Sequence, residues 1–502
     1  MNFNYVEVFK FAIPEMIVSV AALAVLAMDL AARRGRSLGS RTTVAAAVSV
    51  FGCVAAMAWT TLVSQPGTLL DGALVVSPLT QFVKAILLGL TAVTALISIQ
   101  NSFTEHVGEY FALLLFATVG MLFLVSSENL LMIFLSLEFT SLSLYILVAF
   151  NKQSITSAEA ALKYFLFGGM SAAFTLFGLS LIYGLTGEIN LTAIAAGLRG
   201  RTNDTLFLAA LVLTVIGFGF KIAAVPFHLW APDAYQGAPT PSAALIASGS
   251  KVASFFILAR VMTVGFAGAE GSGEWRNFLA GWMPVLAVLA ALSMLLGNLA
   301  AIVQTSVKRL LGYSAIAHAG YMILGVMVTG HGGREQPALV PLLYYVTTYA
   351  LTTVGAFGVV TLVESRMGND KLSSFAGLSR TAPFISFCMM IFMLSLAGIP
   401  PLAGFVGKFY LFVAAVGAAP QQLGLLWLVV LAIATSAVSL YYYLQVLKQI
   451  YVVEAPADSA PVQAPGTLQW AVALAALIVV FLGCMPNFLL EPLLSVIRMA
   501  GL

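Results

Sequence analysis

Seven side chains carry charge where their surroundings do not. Lys84, Lys163, Lys221, Lys251, Arg260, Lys408 and Glu138 all fall inside runs that are otherwise apolar. A charge at the centre of a bilayer costs roughly 2.5 to 3.5 kcal/mol on insertion scales, so charges that stay there by default mark an ion or proton pathway. Residue type narrows the choice. A lysine can give up its proton when desolvation or a nearby cation lowers its pKa, whereas an arginine in practice cannot. A row of arginines would suit a voltage sensor or a bound anion. A row of lysines joined by a carboxylate and imidazoles suits proton relay.

The richest segment is Gly217-Phe-Gly-Phe-Lys221-Ile-Ala-Ala-Val-Pro226-Phe-His228-Leu-Trp230. Lys221 and His228 are seven residues apart and so share a helical face, ~10 Å apart along the axis. Pro226 lacks an N–H, which strips the Ile222 carbonyl of its helical partner and invites a water there. Amine, freed carbonyl and imidazole in line are expected to form a proton wire. Gly404-Phe-Val-Gly-Lys408 echoes Gly217-Phe-Gly-Phe-Lys221, each beside a helix disturbance. Glu138 reads as the acid partner of a buried lysine. Lys251 sits among small residues that leave room for water, and His318 extends the line. Lys163, about one turn into its span, reads equally as a relay or as a snorkelling surface lysine. Lys84 and Arg260 read as snorkelling residues. Glu109 reads as an ordinary helix-start acid, and Tyr441, Tyr442 and Tyr443 as packing or interface residues.

The elements that must hold these groups are membrane helices. Of the 502 residues, 61% are hydrophobic and 9% charged, against roughly 25% charged in a soluble domain. That composition excludes a soluble enzyme, a disordered chain and a nucleic-acid binder. Apolar runs of ~20 residues recur from residue 11 to residue 490 as about fourteen spans, giving an all-α polytopic membrane protein that forms one membrane domain over 1–502. The twelfth run, 384–417, is too long for one helix and holds Gly398-Ile399-Pro400-Pro401 and Gly404, so a broken helix is expected. The seventh, 205–225, ends among Pro226, Pro232, Pro239 and Pro241. The first apolar stretch lacks a basic leader and a cleavage site and is expected to be kept as a span.

Loop charge sets the orientation. Arg33, Arg34, Arg36, Arg41, Lys152, Lys308, Arg309, Arg366, Lys371, Arg380 and Lys448 gather on one side, and Lys10, Arg199, Arg201, Arg276, Arg334 and Arg498 on the other. The first side is then cytoplasmic and both termini are periplasmic. Cys53, Cys388 and Cys484 are far apart in apolar stretches, with no CxxC, so the chain offers no thiolate set for an iron–sulfur cluster. No Gly-x-Gly-x-x-Gly follows a strand to hold a dinucleotide. Two polar breaks in corresponding positions point to an internal repeat, read as 108–264 and 285–447 and inverted because five spans separate corresponding elements.

Three segments carry a resemblance: Phe220 to Pro241, Ser306 to Tyr321 with Lys308-Arg309 and His318, and Ser395 to Tyr410 with Pro400-Pro401 and Lys408. Together they resemble the antiporter-like subunits of bacterial NADH-quinone oxidoreductase (respiratory complex I), subunit N in particular, over nearly the whole chain. The resemblance implies a fourteen-helix antiporter-like fold with two inverted five-helix repeats, each with a broken helix. It implies a proton path through Glu138, Lys163, Lys221, His228, Lys251, His318 and Lys408, with Glu138 and Lys221 as a coupled pair and Lys251 as the central relay. NADH, FMN, iron–sulfur clusters and quinone would belong to partner subunits, with no cofactor or metal in this chain. The neighbours implied are the antiporter-like subunit M and small membrane subunits in the bacterial inner membrane. An Mrp-type cation/proton antiporter subunit shares these features and is the alternative. One departure, Ser-Gly-Ser before Lys251, leaves the local helix start open.

Overall fold

Backbone N–H and C=O groups in a bilayer must pair within the chain, so each apolar run closes into a helix and irregular backbone survives only inside protein. The computed structural model describes residues 5–32, 35, 37–62, 66–100, 103–201, 204–330, 339–418, 424–454 and 466–500. Arg33, Arg34, Arg36 and Arg334, which carry part of the loop-charge argument, lie outside the described residues. Twelve described helices are long and apolar enough to cross a membrane. Thr205–Lys221 adds a shorter crossing, and Pro383–Ala397 with Ala403–Gly417 makes a broken one, which brings the total to fourteen.

In chain order, spans 1 to 6 are Ile13–Ala32, Leu38–Leu62, Pro78–Ile97, Val107–Val125, Leu130–Val148 and Ile155–Thr186. Span 7 is Thr205–Lys221, followed by a break and the short connecting helix Trp230–Gly237. Span 8 comes in two pieces, Thr240–Ala247 and Gly249–Arg260. Spans 9 to 11 are Trp282–Ile302, Val307–Gly330 and Leu339–Met367, span 12 is the broken pair, and spans 13 and 14 are Leu426–Tyr451 and Gly466–Cys484. A last helix, Asn487–Met499, and two small hairpins complete the described chain.

Polar residues at the span ends supply the caps. The Asn129 side chain accepts from the N–H groups of Leu131 and Met132, and Asp204 accepts from Leu206. Ser77 and Thr80 form a reciprocal capping box at the start of span 3. The core lies around spans 8, 10 and 11, which are almost wholly buried, while span 6 turns most of its residues outward.

Two short ladders tie span starts to span ends. Leu130 N–H donates to Ile189 O at 2.8 Å and Leu191 N–H to Glu128 O at 2.9 Å. In the same pattern, Val307 N–H donates to Asp370 O and Leu372 N–H to Thr305 O, each at 2.8 Å. The first ladder joins the flanks of spans 5 and 6, the second those of spans 10 and 11.

Span 12 breaks where its sequence requires. Gly398 sits at φ +88°, a left-handed conformation that glycine adopts without penalty. A Cβ on Gly404 would lie 1.9 Å from the Ser395 carbonyl oxygen, so no larger residue fits that crossing. The Ser-Gly-Ser departure is also resolved: span 8 is interrupted at Ser248, and Lys251 stands in the first turn of its second piece.

Candidate functional site: a buried line of lysines

Lys221 is the last helical residue of the first part of span 7. Its ammonium donates to Glu138 Oε1 on span 5 at 3.0 Å and also to Ser141 Oγ, one turn along that span. Trp230, just past the break, donates from Nε1 to the Phe220 carbonyl at 3.0 Å and stacks on Tyr164 with ring centroids 4.2 Å apart. Indole and phenol thereby fix the end of the helix that carries Lys221.

The chain leaves the helix after Lys221 and turns at Ala223, φ +55°, which frees the Ile222 carbonyl. Lys251 Nζ donates to Ile222 O. Lys251 is 1% exposed and reaches this carbonyl from span 8. A cavity of about 10 Å³, enough for one water, is lined by Thr140, Ser141, Tyr164, Lys221, Ser250 and Ser254. It joins the Lys221 ammonium to the two serines that flank Lys251.

In the second half, Lys408 repeats this arrangement on different backbone. Its ammonium donates to the carbonyls of Leu396 at 2.9 Å and Ala397 at 3.2 Å, which the break in span 12 leaves open, and to Ser436 Oγ at 2.8 Å. The Gly-Phe-x-x-Lys echo does not survive at this level. Lys221 ends the helix before its break, whereas Lys408 stands in the helix after its break. The lysine that matches Lys408 in binding broken-helix carbonyls is Lys251.

His318 on span 10 is 2% exposed, with Nδ1 2.6 Å from the Tyr345 hydroxyl and Nε2 3.1 Å from that of Tyr443. His228 stands apart. It is half-buried, its Nδ1 has no hydrogen-bond partner among the described residues, and the Ile222 carbonyl expected to join it to Lys221 is taken by Lys251. Lys163 is also set aside from Glu138. It is 41% exposed and pairs with Glu159 at 2.6 Å and Asp233 at 2.9 Å. Asp233, on the connecting helix, also binds Arg309 of span 10. Burial pushes the Asp233 carboxyl up, but Lys163 and Arg309 outweigh it and hold that carboxyl below its ordinary value. Beside it, Lys308, counted from sequence as a loop charge, is 2% exposed and binds Glu364 at 2.9 Å and Ala238 O at 3.0 Å.

Sequence reasoning missed several partners. Lys84 does not snorkel: it is wholly buried, 2.7 Å from Glu15 of span 1, itself 1% exposed. Glu15 lies near the start of its apolar run, and an acid in that position was the available signal. Arg260 does sit at a span end, but it is paired with Glu128. Tyr442 and Tyr443 are core residues, not interface belts.

Residues 127–437 match the family described as NADH:quinone oxidoreductase/Mrp antiporter, TM. The chain is 53% identical over 497 residues to NADH-quinone oxidoreductase subunit N 2 of Acidobacterium capsulatum, with 97% of this chain and 99% of the relative covered. It is 40% identical to NADH-quinone oxidoreductase subunit N of Desulforamulus reducens, with 87% of each covered. Among solved structures, a chain of respiratory complex I from Thermus thermophilus with bound aureothin aligns with TM-score 0.78 at 33% identity, covering 96% of this chain and 99% of that one. A chain of the Mrp complex from Dietzia sp. DQ12-45-1b aligns with TM-score 0.81 at 20% identity, covering 97% of each chain, a likeness of fold alone. The chain with the buried lysine line therefore belongs to the NADH:quinone oxidoreductase/Mrp antiporter transmembrane family, among the subunit N members of NADH-quinone oxidoreductase.

Proposed function

We propose that the chain is a proton-translocating membrane subunit of an NADH:quinone oxidoreductase, coupling quinone reduction in partner subunits to proton transfer along its buried lysines. The observation that carries this reading is the Glu138–Lys221 ion pair beside a one-water cavity that reaches Ser250 and Ser254, the serines on either side of Lys251, which is itself held by the Ile222 carbonyl. A charge change at a neighbouring subunit opens or closes the Glu138–Lys221 pair. The opened Lys221 ammonium then passes a proton through the cavity water to Lys251, and on toward His318 and Lys408. Lys163 and His228 act at the edge of this path, with Asp233 competing for Lys163. The two matched ladders support the repeats 108–264 and 285–447 in inverted orientation.

The chain holds no redox group of its own in this reading. NADH, FMN, iron–sulfur clusters and quinone reside in partners, with antiporter-like subunit M and small membrane subunits as neighbours. The protein lies in the bacterial inner membrane with both termini periplasmic. Lys221→Ala in the assembled complex is expected to depress proton pumping, measured in vesicles during NADH oxidation. Normal pumping would remove Lys221 from the path. The Mrp-type antiporter is the second reading, favoured by the shared fold. Sodium-dependent proton flux by the isolated chain in proteoliposomes, without NADH-driven pumping in the complex, would select it.

A further inference from the structure

Between Lys251 and Lys408 lies His318, within electrostatic reach of both. What surrounds its ring is phenolic. Tyr443 of span 13 approaches Nε2 at 3.1 Å and Tyr345 of span 11 approaches Nδ1 at 2.6 Å. Both tyrosines are at most 1% exposed. The Tyr443 hydroxyl also meets Ser314 Oγ at 2.5 Å. Its neighbour Tyr442, which also meets the Tyr443 hydroxyl, donates to Asn298 Oδ1 at 3.0 Å while Asn298 Nδ2 donates to the Tyr321 hydroxyl at 3.1 Å. The Lys408 ammonium sits 5.2 Å from the centre of the Tyr321 ring.

We propose that Tyr443 and Tyr345 are proton-relaying residues that work with His318 as a phenol–imidazole–phenol unit in the gap between Lys251 and Lys408. This rests on the proton-path reading above. A neutral imidazole has one N–H donor and one acceptor nitrogen, so one phenol donates to the ring while the other accepts from it. A proton reaching the donating phenol's oxygen releases that phenol's own proton to the facing nitrogen. The N–H on the far nitrogen passes to the second phenol, whose own proton moves onward. Each phenol ends with one proton and the ring with one N–H, now on the other nitrogen. Only O–H and N–H bonds exchange. The shifted tautomer must be reset before the next transfer in the same direction. An amide does not relay in this way, so Asn298 positions the phenols around it and does not carry the proton.

The test uses the assembled complex in proteoliposomes and compares Tyr443→Phe, 3,5-difluorotyrosine incorporated at 443, Lys408→Ala, and Tyr441→Phe as a control at an exposed position. NADH oxidation by a soluble artificial acceptor reports assembly, and quinone-coupled turnover with proton uptake reports the path. Tyr443→Phe is expected to keep the first and lower the second by about a hundredfold, the lower end of the range for lost proton transfer. The difluorotyrosine variant keeps the ring shape with a more acidic phenol, and is expected to assemble and to change the solvent isotope effect on coupled turnover. If Tyr443→Phe fails to assemble, the difluorotyrosine variant decides. An unchanged isotope effect in that variant overturns the relay, whether or not Tyr443→Phe is impaired, because a merely positioning hydroxyl would give that result. Wild-type behaviour of both Tyr443 variants with an impaired Lys408→Ala overturns the relay and leaves the proton path standing. Wild-type behaviour of Lys408→Ala as well overturns the path itself.

Discussion

Lys84 is wholly buried, and among the described residues Glu15 is the acid that meets its charge. Removing one member of a buried pair leaves the other charged and unpaired, which costs about 3 to 5 kcal/mol, whereas replacing both with neutral groups of similar volume is often harmless. Lys84→Met is therefore expected to lower the thermal midpoint of the detergent-solubilised protein sharply, and the double variant Glu15→Gln/Lys84→Met to recover most of that loss. A double variant no better than the single one would argue against the pair. At this scale the sequence was half legible. A lysine in an apolar run announces itself, because insertion cost singles it out. Its partner does not, since Glu15 and Lys84 are 69 positions apart along the chain (84 − 15) and meet only through packing. The same holds for Asp233, which lies in a segment whose prolines drew attention to helix breaks and away from its charge.

Helix breaks were legible where glycine and proline coincide, and less so in their register. Span 12 breaks at Gly398-Ile399-Pro400-Pro401, as its sequence implies. Span 7 ends at Lys221, four residues earlier than its apolar run, because backbone turns at Ala223, with φ +55°, before Pro226 is reached. Hydropathy reports only that a segment is apolar, so it cannot mark that end. Two substitutions test the breaks. Pro226→Ala removes the bar to a continuous helix through this turn, in which the N–H of residue 226 would compete with Lys251 for the Ile222 carbonyl. It is expected to lower coupled turnover in the assembled complex while leaving assembly intact, and unchanged turnover would mean that the Lys251–carbonyl bond has no part in transfer. Gly404→Ala drives a methyl into the Ser395 carbonyl and is expected to destabilise by about 3 kcal/mol, at the upper end for overpacking. The readout is yield and thermal midpoint, and a loss within error of zero would refute the tight crossing.

At the scale of the whole molecule, the fourteen-span architecture was read from composition and run length alone, while the joints between its halves were not. One joint is ionic. Asp233 grips Lys163 of span 6 and Arg309 of span 10 together. Its carboxyl is held below the ordinary value, so its contribution is present in full above the unfolded pKa of about 3.9 and is lost as pH falls through the lower folded value. Thermal stability of the purified protein is expected to drop below about pH 4, and Asp233→Asn is expected to lower stability at neutral pH and flatten that acid limb. An acid limb identical in the two proteins would show that the joint carries no linkage. The main-chain attachment of Lys251 and Lys408 has a different consequence. Every residue type supplies the same carbonyl oxygen, so no exchange of side chain at Ile222, Leu396 or Ala397 deletes the acceptor. The carbonyl ligands of these two lysines are therefore inherited with the path of the backbone and not with the identity of the side chains at those three positions.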